Sequence, residues 1–239
     1  MIGGTSEPVS GAATRWRRST VGTIAVLDYG IGNLRSAERA LAHVGGAARL
    51  VTDPDDVAGA AGVVLPGVGA FGRCAEALEE TGLGDAARQA IADGVPFLGI
   101  CVGLQLLYAA SEESPGVRGL GVLEGTVRRL PGSVKVPQMQ WNSLRRERDS
   151  ALLAGTGEAP WVYFVHSYAP EIGDETVATC EYGGRVAAAV ESGNVWAVQF
   201  HPEKSGASGL RILSNFVTHC GLAEGQRATQ ARSVPARGA

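Results

Sequence analysis

Apolar and polar positions along the chain follow a helix-and-strand rhythm in the first half and short, closely spaced strand-like runs in the second. Residues 23–27 run without a charge and close at Asp28, the pattern of a central parallel strand covered on both faces. Ala37, Ala40, Leu41 and Val44 then recur at helical spacing behind a candidate cap at Asn33, and Gly45-Gly46 ends that helix. Residues 49–52 read as a second strand, 53–56 as a short helical turn and 63–65 as a third strand. Two helical segments, 71–80 and 83–92, lead to a fourth strand over 96–100, after which Leu104, Leu107 and Tyr108 suggest another helix. Strands alternating with helices predict an α/β fold built on an open, mostly parallel sheet with helices on both faces.

After Tyr108 the runs 127–130, 161–166, 177–181, 185–190 and 195–200 follow closely, and Tyr182-Gly183-Gly184 marks a hairpin turn. These predict added antiparallel strands in the C-terminal half. Residues 209–219 close as a helix with Leu210, Leu213, Phe216 and Val217 on one side. The ends lack such periodicity, so residues 1–21 and 222–239 are expected to be flexible extensions around one domain over 22–221.

Composition narrows the function. A chain of 239 residues, 45% hydrophobic and 19% charged, suits one soluble globular domain. A net charge of −3 and the lack of a Lys/Arg run argue against nucleic acid and membrane partners. No apolar run approaches the ~18 residues of a membrane helix. Cys74, Cys101, Cys180 and Cys220 contain no C-x-x-C pair and read as reduced thiols in a cytoplasm. With no H-E-x-x-H or Walker pattern, no metal or cofactor is expected.

Candidate chemistry centres on Gly99-Ile100-Cys101-Val102-Gly103, the cysteine form of the nucleophile elbow. Glycines on both sides let a tight strand-to-helix turn hold the side chain out, and the free N–H groups of a helix start favour negative charge on sulfur. A cysteine nucleophile needs a base, and the base needs an orienting acid. Of four histidines, His43 and His219 lie in helices and His166 in an aromatic strand without a nearby acid; His201 is followed two residues on by Glu203, on the same side of an extended segment. Residues 64–69 supply a strand and a glycine-rich loop whose N–H groups, with that of Val102, suit an oxyanion. Gly67 to Gly72 also matches G-x-G-x-x-G, which leaves a non-catalytic nucleotide-binding module as a rival, but the loop follows the third strand and lacks the acidic partner of that fingerprint. An ester hydrolase of the elbow type is a further rival.

The segments GICVGLQLL, PGVGAFG, YFVHSY and VQFHPEKSG resemble, in this order, the class I (triad) glutamine amidotransferases, and Asp28 to Leu34 and Pro137 to Asn142 favour the glutaminase subunit of imidazole glycerol phosphate synthase. The resemblance implies a triad of Cys101, His201 and Glu203, oxyanion donors at Val68 and Val102, and glutamine held at Gly69, Gln105, Glu113, Ser167 and Tyr168. It implies that ammonia passes to a cyclase subunit, a (β/α)₈ barrel forming a heterodimer through Asn33, Trp141, Tyr163 and Lys204. That partner makes imidazole glycerol phosphate and aminoimidazole carboxamide ribotide in histidine biosynthesis. A glutaminase serving a different synthase is the same-class alternative. The sequence departs from the family at Gln138 and Gln140, where His and Gly are expected, in a segment expected to face the partner.

Overall fold

The computed structural model describes residues 22–222, so the expected extensions at 1–21 and beyond 222 lie outside the described residues. The first half builds β1 (Ile24–Leu27), α1 (Leu34–His43), β2 (Ala48–Val51), β3 (Gly62–Gly67), α2 (Phe71–Glu80), α3 (Leu83–Ala92), β4 (Phe97–Cys101) and a single turn, α4 (Val102–Gln105). The second half builds β5 (Tyr108–Ser111), β6 (Leu123–Arg129), β7 (Gln138–Ser143), β8 (Arg145–Arg146), β9 (Trp161–His166), β10 (Tyr168–Pro170), β11 (Thr176–Glu181), β12 (Arg185–Ser192), β13 (Val195–Val198) and α5 (Gly206–His219).

One eight-stranded sheet, ordered β2-β1-β3-β4-β13-β12-β11-β8, carries the fold. Its first five strands are parallel and the remainder antiparallel; the patterning predicts both halves but counts residues 195–200 among the antiparallel strands, whereas β13 runs parallel to β4 and antiparallel only to β12. β1, β3, β4 and β13 are buried throughout, which is why they read as unbroken apolar runs. The chain moves from β1 outward to β2, then back past β1 to β3. Right-handed crossovers turn that reversal into helices on opposite faces, and a crevice opens where the carboxyl ends of the strands diverge. Two small sheets complete the molecule: β10-β6-β5, and an antiparallel ribbon of β7 and β9.

Several expectations need correction. The helix after Cys101 lasts one turn and Tyr108 begins a strand; Leu104, Leu106, Leu107 and Tyr108 are all fully buried, so their spacing carries no facial period. Asn33 does precede α1 but does not cap it through its side chain, whose Oδ1 instead accepts from Ser36 Oγ at 2.8 Å. The run at Trp161–His166 pairs outside the main sheet, with β7, a strand the apolar pattern does not mark.

Candidate active site

β4 delivers Cys101 to the carboxyl edge of the sheet. There its backbone takes φ 56° and ψ −110°, the only positive φ of a non-glycine among the described residues. Such a conformation costs about 1–3 kcal/mol and persists only where neighbours enforce it. The flanking glycines permit the close backbone packing that holds it. A Cβ on Gly99 would lie 2.9 Å from the Gly103 carbonyl oxygen and 3.0 Å from Ala197 Cβ, and one on Gly103 would collide with the Leu65 carbonyl. Only this bare backbone lets α4 pack flat against β3.

His201 follows β13 and is buried, 2% exposed. Its Nδ1 lies 2.8 Å from Glu203 Oε1. The sequence places the two on one side of an extended segment; the structure instead joins them through a 3₁₀ turn, Pro202–Lys204, with the same result. The carboxylate accepts a hydrogen bond from Nδ1–H and leaves Nε2 to act on a neighbour. Nε2 is buried and has no hydrogen-bond partner within the protein. Burial alone would lower the pKa of His201, but its interactions with nearby Cys101 and with Glu203 outweigh it and raise the value to about 9. Ser205 pins the turn, donating to the His201 carbonyl at 2.6 Å and accepting from the Tyr163 N–H at 3.0 Å.

A cavity of about 240 Å³ opens over this pair. Cys101, His201, Val68, Val102, Gly69, Gln105, Glu113, Ser167 and Tyr168 all line it, so the structure gathers these sequence-derived candidates in one place, with Glu203 behind His201. Gly67 is in register with Cys101 on adjacent parallel strands, which brings the following residues, Val68 and Val102, to the same edge. The loop is anchored on both sides of Gly67: Tyr29 donates its hydroxyl to the Pro66 carbonyl at 2.7 Å and Cys74 its thiol to that of Val68 at 3.3 Å. Glu113 Oε2 accepts from the Phe71 N–H at 2.7 Å, placing a carboxylate on the start of α2. A phosphate would need that position, so the glycine-rich loop does not serve a nucleotide. A larger open groove of about 910 Å³ beside Glu124, Glu171 and Glu191 lies elsewhere and contains neither the thiol nor the imidazole. No group of side chains suited to a metal occurs among the described residues.

The ribbon of β7 and β9 presents Met139, Trp141 and Trp161 at 61%, 47% and 58% exposure, with Trp141 edge-on to Tyr163 at 6.2 Å between ring centroids. Asn33 and Lys204 are also exposed, while Tyr163 is half-buried. Gln140 is exposed, but Gln138 corrects the expectation of a surface position: it is fully buried, its amide 3.0 Å from His166 Nε2. Burial lowers the pKa of His166 to about 4, so the ring is neutral. Sequence reasoning also passed over Gln199, a fully buried amide 3.7 Å from the Cys101 sulfur. The available signal was a polar side chain in an otherwise apolar run two residues ahead of His201.

An elbow cysteine backed by a His–Glu pair at the edge of an open α/β sheet is the arrangement of an amide-cleaving acyl-transfer enzyme. The Glutamine amidotransferase class-I family matches residues 25–220, and the chain belongs to it. Solved structures agree on the fold: a glutamine amidotransferase superposes with TM-score 0.67 at 24% identity over 84% of this chain and 100% of that one. PurLQS from Thermotoga maritima gives 0.67 at 23% identity, covering 83% and 99%. The imidazole glycerol phosphate synthase subunit HisH of Methanothermobacter thermautotrophicus is 51% identical over 198 residues, 81% of this chain and 97% of its own length. HisH of Moorella thermoacetica is 46% identical over 205 residues, covering 84% and 98%. No helix among the described residues is long and apolar enough to cross a membrane.

Proposed function

We propose that this chain hydrolyses L-glutamine as the glutaminase subunit of imidazole glycerol phosphate synthase, supplying ammonia for histidine biosynthesis. The Cys101 thiolate attacks the side-chain carbonyl carbon, and the displaced C=O electron pair becomes an oxyanion held by the N–H groups of Val68 and Val102. When the adduct collapses, the C–N bond breaks and the Nε2 proton of His201 passes to the departing nitrogen, giving ammonia and a thioester. Neutral His201 then takes a proton from water, whose oxygen attacks the thioester. The second collapse expels the thiolate and releases glutamate. Glu203 holds the imidazole in the required tautomer and balances its charge throughout.

Gly69, Gln105, Glu113, Ser167 and Tyr168 hold the substrate around the cavity. The ammonia passes to a (β/α)₈-barrel cyclase in a cytoplasmic heterodimer, docked through Asn33, Trp141, Tyr163 and Lys204. The exposed aromatic ribbon supports that docking, because contiguous apolar side chains are costly to leave in water. The domain spans 22–221, and neither metal nor cofactor takes part. The observation that carries the reading is the strained Cys101 sharing one cavity with His201, whose far nitrogen is held by Glu203. The test is glutamate release from glutamine with the cyclase and its ribotide ligand present. Parent protein is expected to turn over with the complete complex and only weakly alone. Undiminished release by Cys101→Ala would overturn the mechanism.

A further inference from the structure

A row of buried amides ends on the nucleophile. Gln199 is 0% exposed and Gln105 3%. Gln105 Nε2 donates to the Tyr168 backbone carbonyl at 2.9 Å and to Gln199 Oε1 at 3.2 Å. Gln199 Nε2 in turn donates to Cys101 Sγ at 3.7 Å. The direction of this row is fixed by chemistry rather than by density of contacts. A backbone carbonyl only accepts, so Gln105 must turn its –NH₂ group toward Tyr168. That –NH₂ group also faces Gln199, which must therefore present its oxygen there and its own –NH₂ group to the sulfur. The amide at the sulfur has no second orientation that leaves the row satisfied.

We propose that Gln199 is a second polar partner of the nucleophile, an oriented N–H donor, distinct from the imidazole, that stabilises negative sulfur. His201 exchanges protons during the reaction, whereas Gln199 cannot, so it lends the sulfur a constant dipole while the imidazole changes charge. A hydrogen bond to a charged group in a buried site contributes more than a neutral one, and here it acts on the attacking atom and on the leaving thiolate of the second step. Gln105 lines the cavity and forms the next link, so the donor is held in place from the substrate side.

This inference rests on Cys101 being the nucleophile, but its test does not require turnover. The probe is iodoacetamide at pH 7, with modification of the Cys101 peptide followed by mass spectrometry in the full-length chain. Gln199→Met keeps the volume and removes the donor; alkylation is expected to slow about tenfold. Gln199→Glu keeps the shape but places acceptor oxygens and charge against the sulfur, and is expected to slow alkylation further than Met. A role in packing alone predicts the opposite order, with the closer isostere Glu nearer to parent. In the complete complex, the Met variant is expected to lose kcat with KM changed less than twofold. Alkylation at parental rates in either folded variant, or Glu faster than Met, would overturn the proposal. Should Met fail to fold, an alkylation rate for Glu within twofold of parent overturns it alone. Parent protein that alkylates at Cys101 yet never releases glutamate would count against the proposed function and leave this inference standing.

Discussion

His201 and Glu203 are two residues apart in the chain and 2.8 Å apart at Nδ1 and Oε1, with both side chains about 3–4% exposed. The raised pKa of His201, about 9 against an ordinary 6.5, makes the pair a source of pH-dependent stability. A base whose folded pKa is raised stabilises the fold fully below its unfolded value and loses that contribution as pH climbs through the folded one. The melting temperature should therefore decline between pH 6.5 and about 9. In Glu203→Gln the decline should be smaller and complete at lower pH. Identical pH profiles for the two proteins would contradict the coupling.

Cys101 holds its place at the sheet edge with backbone strain at φ 56°. Both Cys101→Ala and Cys101→Gly should abolish glutamate release. Glycine alone relaxes at positive φ, so Cys101→Gly should be more stable than Cys101→Ala by about 1 kcal/mol, reversing the usual preference for alanine. Chemical denaturation of the two variants measures the difference.

Gly103 has no room for a methyl group, because a Cβ there would strike the Leu65 backbone, which cannot move without disturbing β3. Gly103→Ala should cost about 1–3 kcal/mol or more and lower activity through displacement of α4. Gly132→Ala is the control: nothing lies within 4 Å of its added Cβ and its φ is not positive, so its melting temperature should stay at the parental value.

Neutral His166 has one N–H to give, and the Tyr168 carbonyl, 2.9 Å from Nδ1, can only accept it. Nε2 then needs a donor, which the Gln138 amide supplies after a half-turn about its axis, 3.0 Å away. Gln138→Leu leaves that nitrogen buried and unpaired. It should destabilise the fold by about 1–3 kcal/mol, read from denaturant midpoints, while glutamate release persists wherever the protein is folded.

Trp141 is 47% exposed at the centre of the ribbon and packs edge-on to Tyr163. Trp141→Ala should leave the stability of the isolated chain nearly unchanged and weaken its association with the cyclase by at least tenfold, as measured by titration calorimetry. Unaltered affinity would move the docking face elsewhere.

The sequence by itself determined the parallel strands β1, β3 and β4, which are buried on both faces and write themselves as apolar runs; β13 is an apolar run as well, but only the fold seated it parallel to β4. It also determined the elbow, because glycines at 99 and 103 are the local requirement for a side chain held at a tight turn, and it placed His201 beside Glu203 through their spacing. Tertiary structure decided the rest. β5, β7, β8 and β10 are short or half-exposed strands whose existence depends on partners distant in the chain, so no local period announces them. The burial of Gln138 and the contact of Gln199 with Cys101 join residues 42 and 98 positions from their partners Cys180 and Cys101. An amide is indifferent between surface and core until the fold supplies its hydrogen-bond partners, and those partners come from other strands.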